Sequence, residues 1–315
     1  MSSKLINIGI IGIGSIFNSY LKIIKLNKRI SLKAISSRTE SKLTSISKKH
    51  KIPKVYTNYK LMIEKENLDA VFILVSADQI FKVTKSLLKY QIPLLIEKPP
   101  GLSFEESSVL ANLSKKYNTK NMVGLNRRFY SNFHKGIEVI NRYGGIQNII
   151  IEGHERFWKI KDNITKKQRE TWIYANGIHS IDLLRFFGGD IKSIKTITNN
   201  KLEKNGDQFL SLINFKSNIS GVYISNWYSP GGWSVKLLGE GVTVVFQPLE
   251  NAYFMKQDMK KIYLTPSKFD KIYKPGLYKQ ISAFLDYVES GNINSSAQTL
   301  NDVKKTMSLI KKISY

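Results

Sequence analysis

Two short clusters in the sequence carry residue types that do chemistry. The first is Gly12-Ile13-Gly14-Ser15-Ile16-Phe17, which closes an apolar run and opens an amphipathic one. In a strand–turn–helix context, Gly12 permits a tight turn and Gly14 lets the backbone approach a pyrophosphate. The helix N–H groups that follow, from Ser15 and Ile16 onward, then face the phosphates. Phe17 occupies the third fingerprint position, where Gly or Ala is usual. The end of the second apolar run, Ala34-Ile35-Ser36-Ser37-Arg38-Thr39, has no carboxylate to hold a ribose 2′-hydroxyl. Ser37 can donate to a 2′-phosphate, and Arg38 can pair with it or stack on adenine. The alternative is that Arg38 is a surface residue at a helix start. The expected cofactor is NADP or NAD, with NADP favoured.

The second cluster is His179 and Asp182, three residues apart and on one side of a predicted helix. Taken alone, His179 reads as a satisfied core histidine. The other histidines are His50, His134 and His154. Glu152 and His154 share a strand face beside Glu155, but two ligands do not make a metal site, and none is expected. With no cysteine in the chain, disulfides, thiolate zinc sites, iron–sulfur clusters and cysteine nucleophiles are excluded.

These residues need elements to hold them. Residues 1–125 alternate strand-like runs (5–11, 31–36, 70–75, 94–96, 121–124, and weakly 55–56) with helical stretches (16–26, 40–50, 59–65, 80–90, 103–117). Ser103-x-x-Glu106 is a capping-box pattern. Near-continuous Ile, Val and Leu in the strand runs suit a parallel sheet covered on both faces, and the alternation predicts a doubly wound α/β Rossmann domain. After residue 145 the pattern changes. Strands are expected at 145–155, 191–198, 208–215, 220–228, 233–238 and 242–247, with a helix at 178–187 and two more at 277–289 and 299–313. Hairpin-type connections at Asn205-Gly206-Asp207, Ser217-Asn218 and Gly239-Glu240-Gly241 predict an α+β domain with a mostly antiparallel, open-faced sheet. The expected division is 1–123 for the dinucleotide-binding domain and 124–315 for a substrate and oligomerisation domain, with the C-terminal helices packing back toward the first.

Glu97-Lys98-Pro99-Pro100 follows the fifth strand. With the Gly-rich turn before it, this segment resembles the Gfo/Idh/MocA oxidoreductases (glucose–fructose oxidoreductase, inositol dehydrogenase and relatives). Val123-Gly124-Leu125-Asn126-Arg127-Arg128-Phe129 resembles the family's domain-junction segment. Gly177-Ile178-His179-Ser180-Ile181-Asp182 resembles the helix that carries its active-site histidine, and the last two helices agree as well. The resemblance implies hydride transfer between a nicotinamide and a hydroxyl or keto carbon of a sugar or nucleotide sugar. Lys98 and His179 are then the catalytic residues, and Ser76, Gln79, Glu97 and Lys98 join the cofactor contacts. An imidazole, with an unperturbed pKa near ~6.5, suits removal of a hydroxyl proton near neutrality. An ammonium beside the carbinol oxygen stabilises developing alkoxide charge. Asp182, Asn176, Arg128, Trp172 and Tyr174 are expected to bind substrate. For Asp182 the alternative is an ion pair with Arg128 or Arg185, and for Arg128 a junction salt bridge. Three positions depart from the family: Ala175 stands where many members have Asp, Phe81 where a His is usual, and Ser76-Ala77-Asp78 where Thr-Pro-Asn is frequent. They motivate a second reading, a non-catalytic NAD(P)-binding regulator or degenerate member.

The chain carries 49 Lys and Arg against 24 Asp and Glu, a net charge of +25. Only eight of the basic residues are Arg, with no Arg cluster among aromatics, so AT-rich codon usage and a solvated lysine surface account for the charge better than nucleic-acid readout. The field would still draw in anionic small molecules. No apolar run approaches the ~20 residues of a membrane span. A cytoplasmic homo-oligomer, dimer or tetramer, with a small-molecule sugar substrate, no specific nucleic acid and no membrane partner is expected.

Overall fold

The computed structural model describes residues 5–314. The chain divides into two compact units, Met1–Leu125 with Leu277–Lys304, and Asn126–Gly276 with Lys305–Tyr315.

In the first unit, strands β1 (Ile6–Ile11), β2 (Ile30–Ser36), β3 (Lys54–Tyr56), β4 (Ala70–Ile73), β5 (Leu94–Glu97) and β6 (Asn121–Gly124) form one parallel sheet in the order β3-β2-β1-β4-β5-β6. All four β4 residues are buried, as a strand covered on both faces requires. The covering helices are α1 (Phe17–Leu26), α2 (Glu40–His50), α3 (Tyr59–Lys65), α4 (Ala77–Leu87) and α5 (Phe104–Lys116), with α10 (Leu277–Ser290) added late in the chain. Ser103 caps α5 by accepting the Glu106 N–H at 3.1 Å, and the Glu106 carboxylate accepts the Leu102 N–H at 2.7 Å. Helix α4 starts three residues ahead of the expected 80, with Ser76 at the N-cap position and its carbonyl accepting the Gln79 N–H at 2.8 Å. The strand order reverses between β1 and β4, which opens a crevice at the carboxyl ends of those strands.

The second unit holds α6 (Ser131–Asn141), β7 (Asn148–Gly153), α7 (Lys166–Glu170), α8 (Ile178–Gly188), β8 (Ile191–Asn199), β9 (Gln208–Phe215), β10 (Ser220–Asn226), β11 (Trp233–Gly239), β12 (Val242–Phe246), β13 (Ala252–Lys256), β14 (Ile262–Leu264) and α9 (Lys268–Ile272). The last helix, α11 (Leu300–Ser314), passes from the first unit into the second. Its sheet runs β14-β13-β12-β11-β7-β10-β9-β8. The three expected hairpin connections join antiparallel neighbours, but β7 inserts between β10 and β11 and pairs parallel with β10. Strand β9 alternates buried and exposed residues, and the covered face of the sheet lies against α6 at β11–β14 and against α8 at β7 and β10. Helices α6, α7 and α9 and strands β13 and β14 are additions to the expected list. Among the described residues, no helix is long and apolar enough to cross a membrane.

Candidate active site

Gly12 leaves β1 with φ of +102°, a conformation L side chains rarely adopt, and a Cβ there would lie 2.6 Å from the Leu74 carbonyl. Its N–H donates to the Ser36 carbonyl at 2.8 Å, which ties the turn to β2. A Cβ on Gly14 would meet nothing within 4 Å, so the space above the turn is open. Ser15 is exposed and Ile16 half-buried at the start of α1. Phe17 is 1% exposed and serves the core, which is why the third fingerprint position tolerates an aromatic ring.

A cleft of about 320 Å³ lies over this turn, and six of the expected cofactor residues line it: Gly12, Gly14, Ser37, Arg38, Ser76 and Gln79. The Gln79 amide donates to Asp78 at 2.8 Å. Burial raises the Asp78 carboxyl, but the Gln79 and Ser76 hydrogen bonds and the Arg38 charge outweigh it and hold the carboxyl below its ordinary value. The cleft is also lined by Thr57, Tyr59 and Lys82, which sequence reasoning missed. Tyr59 and Lys82 belong to segments read only for helix pattern, Thr57 lies between a strand segment and a helix segment, and no motif marks them. A turn that excludes a Cβ, an open space above it and a cationic rim fit a dinucleotide.

At the end of β5, the Glu97 carboxylate accepts the Tyr20 hydroxyl at 2.6 Å and the Lys98 N–H at 3.2 Å. The Gln280 amide donates to Tyr20 at 3.0 Å. Burial and the neighbouring Glu97 charge push the Tyr20 hydroxyl well above its ordinary value, so it remains a donor. Glu97 therefore anchors the segment that presents Lys98, which is half-buried and followed by a cis peptide bond to Pro99.

In the second unit, one π-turn at Ile173–Gly177 leads into α8 and places His179 and Asp182 on its buried side, 6% and 2% exposed. The two then part company. Asp182 accepts Arg128 Nε at 2.6 Å, Arg128 Nη2 at 3.0 Å and the Thr306 hydroxyl at 2.8 Å. Of the readings open for Asp182 and Arg128, the ion pair is the one the geometry carries, because both carboxylate oxygens are occupied in a buried, bidentate pair. The His179 ring instead lies 6.0 Å from the Trp233 ring, centroid to centroid. Arg127 sits over the other side of this cluster, its guanidinium carbon 4.1 Å from the Trp233 centroid.

Asn176 projects from the π-turn and donates to both Glu155 oxygens, at 2.9 and 3.1 Å. Trp172 packs on Phe157 at 5.5 Å, within an aromatic cluster that continues to Trp227 and Phe209. Tyr174 is buried inside the turn itself. Glu152 accepts from Ser234, His154 accepts the Asn226 N–H, and Glu155 holds Asn176, so the three take separate partners. Among the described residues, no group of three or more potential ligands could hold a metal ion. Arg127, Trp233 and Glu155 were not singled out as site residues from sequence. The signal was present only as an Arg pair and an aromatic beside Pro230-Gly231-Gly232, which reads as a hairpin in sequence but joins β10 and β11 on either side of β7.

Residues 6–125 match the model of an oxidoreductase family with an NAD-binding Rossmann fold, and residues 146–245 match the GFO/IDH/MocA C-terminal domain. An uncharacterised oxidoreductase, YrbE, of Bacillus subtilis is 26% identical over 194 residues, 59% of this chain and 55% of that protein. The myo-inositol 2-dehydrogenase of Thermotoga maritima is 29% identical over 133 residues, 42% of this chain and 40% of that protein. The alignments thus span about half the length of these relatives or less. An oxidoreductase from Agrobacterium radiobacter, solved in complex with NAD+, L-tartaric acid and magnesium, superposes with a TM-score of 0.82 at 16% identity, covering 97% of this chain and 94% of that one. That likeness concerns the fold. The two family matches together cover most of the chain, from the Gly-rich turn through β11, and the chain belongs to the Gfo/Idh/MocA family of NAD-binding oxidoreductases.

Proposed function

We propose that the protein is an NAD(P)-dependent sugar dehydrogenase or ketoreductase, acting on a hydroxyl or keto carbon of a sugar or nucleotide sugar and preferring NADP. The nicotinamide cofactor supplies the hydride acceptor or donor. The observation that carries the reading is the cleft over Gly12 and Gly14, closed at its β2 end by Ser37 and Arg38 with no carboxylate on the β2 tip. Ser37 and Arg38 would take a 2′-phosphate, with Ser76 and Gln79 facing the opposite wall of the cleft. His179 would hold the hydroxyl proton during oxidation and return it during reduction. Lys98 would steady negative charge on the substrate oxygen. The open sheet face, where Ile197 and Leu212 are 62% and 58% exposed, supports a homo-oligomer.

A panel of free sugars and nucleotide sugars, followed by nicotinamide absorbance with each cofactor, tests the reading. Lys98→Ala and His179→Ala should each lower turnover by about 10²–10⁴-fold, His179→Ala with cofactor binding intact and Lys98→Ala with weaker cofactor binding as well. Silence of the whole panel with both cofactors contradicts it. That outcome favours the regulator reading, which Ala175 and Phe81 support.

A further inference from the structure

Arg127 and Arg128 are adjacent and chemically identical, yet packing gives them different surroundings. Arg128 is neutralised by Asp182 in a buried bidentate pair. Arg127 has no ion-pair partner within reach among the described residues, and its buried Nε has no hydrogen-bond acceptor there. The charges that act on it from a distance are Glu250 and Glu155, with the Tyr130 hydroxyl. Each is already engaged: Glu250 accepts from Tyr130 at 3.2 Å, and Glu155 accepts from Asn176. Burial pulls the Arg127 pKa down from its ordinary value, against those groups, but a guanidinium stays charged at neutrality.

A guanidinium Nε–H buried without an acceptor is costly, and native structures keep such groups where something else supplies the acceptor. Stacking on Trp233 covers one face of the guanidinium and leaves its N–H edge to recognise an acceptor in plane. Trp233 is held by its pairing with Gly153 at the start of β11, so the platform is part of the sheet. The same indole lies 6.0 Å from the His179 ring, centroid to centroid.

We propose that the substrate of this site carries an anionic oxygen group, a carboxylate or a phosphate ester, which pairs with the Arg127 guanidinium while the reacting carbon lies at His179. This deepens the dehydrogenase reading given above and rests on it. A net charge of +25 raises the local concentration of such substrates further.

The test compares glucose with glucose 6-phosphate and glucuronate at fixed ionic strength, using calorimetry and tryptophan fluorescence on the full chain saturated with NADP+ or NAD+. At least one anionic sugar should bind roughly tenfold or more tightly than glucose, as expected of a charge-assisted pair. The phosphate and carboxylate arms identify which group is read. Arg127→Met should erase the preference, lowering the affinity for the anionic sugar far more than the affinities for glucose and NADPH, and Arg127→Lys should restore part of it. Equal binding of all three sugars, no binding of either anionic sugar, or an equal loss of NADPH affinity in Arg127→Met overturns the assignment. Should Arg127→Met fail to fold, the wild-type ratio of anionic to neutral affinity decides alone: a ratio near one overturns the proposal, and a high ratio that declines with salt supports it. Anionic sugars that bind without any change in nicotinamide absorbance would defeat the dehydrogenase reading and keep the anion site. Turnover of glucose with no gain from a charged group would do the reverse.

Discussion

A methyl group at position 12 would have to enter the Leu74 backbone at 2.6 Å and adopt a φ of +102°. Gly12→Ala is therefore expected to lose nicotinamide binding and about 1–3 kcal/mol of stability, read by cofactor fluorescence and thermal melting. Gly14→Ala meets no atom within 4 Å, so it should retain stability and lose affinity alone. The buried pair Arg128–Asp182 makes a different prediction. Asp182→Asn leaves Arg128 buried without its counter-charge and should cost about 3–5 kcal/mol, measured by urea unfolding. A residue that mainly contacts substrate would instead raise KM and leave stability in place. At this scale the sequence was informative where geometry follows from residue type, as at Gly12. It named Arg128 or Arg185 as the ion-pair alternative for Asp182, and packing decides for Arg128, but it gave Arg127 no role, because an unpaired guanidinium beside a paired one has the same chemistry and differs only in its surroundings.

Helix α8 is the element that carries the second cluster, and its ends are constrained. A Cβ on Gly188 would sit 2.4–2.6 Å from the Phe215 ring, so Gly188→Ala should push α8 off β9 and destabilise the fold by about 1–3 kcal/mol. Ahead of α8, α7 and the loop after β8 are tied together by Glu203, which accepts Arg169 at 2.8 and 2.9 Å and also the Tyr228 hydroxyl. Burial raises the Glu203 carboxyl, but these partners outweigh it and hold it below its ordinary value. A carboxylate with a depressed folded pKa contributes stability that is full above its unfolded pKa, near 4.5, and is lost as pH falls through the lower folded value. Acid melting of Glu203→Gln should accordingly show a flatter stability profile below that pH than wild type, with lower stability at neutrality. The α/β alternation of the first unit was legible because its strands are apolar on both faces. Helix α6 was not, since Gly136 interrupts it and its buried face, Phe133, Gly136 and Ile140, is short. The insertion of β7 beside β10 was also invisible, because turn residues specify the hairpins they close and say nothing about a strand arriving from elsewhere in the chain.

Across the whole molecule, charge and surface make their own predictions. The +25 charge is carried mostly by lysine, so any retention on DNA should lack sequence preference and collapse as salt is raised. The open sheet face predicts an oligomer in light scattering, and Leu212→Asp, placing a charge on a residue 58% exposed in the single chain, should shift it toward monomer. The family and the nicotinamide chemistry meet in one experiment, a fluorescence titration of the purified protein with NADPH and NADH at low and moderate salt, repeated with Arg38→Ala. NADPH is expected to bind more tightly than NADH at both salt concentrations, and Arg38→Ala to narrow that difference. Tighter binding of NADH, or an equal effect of Arg38→Ala on both, would contradict the NADP preference. Binding of neither would contradict the account at its centre.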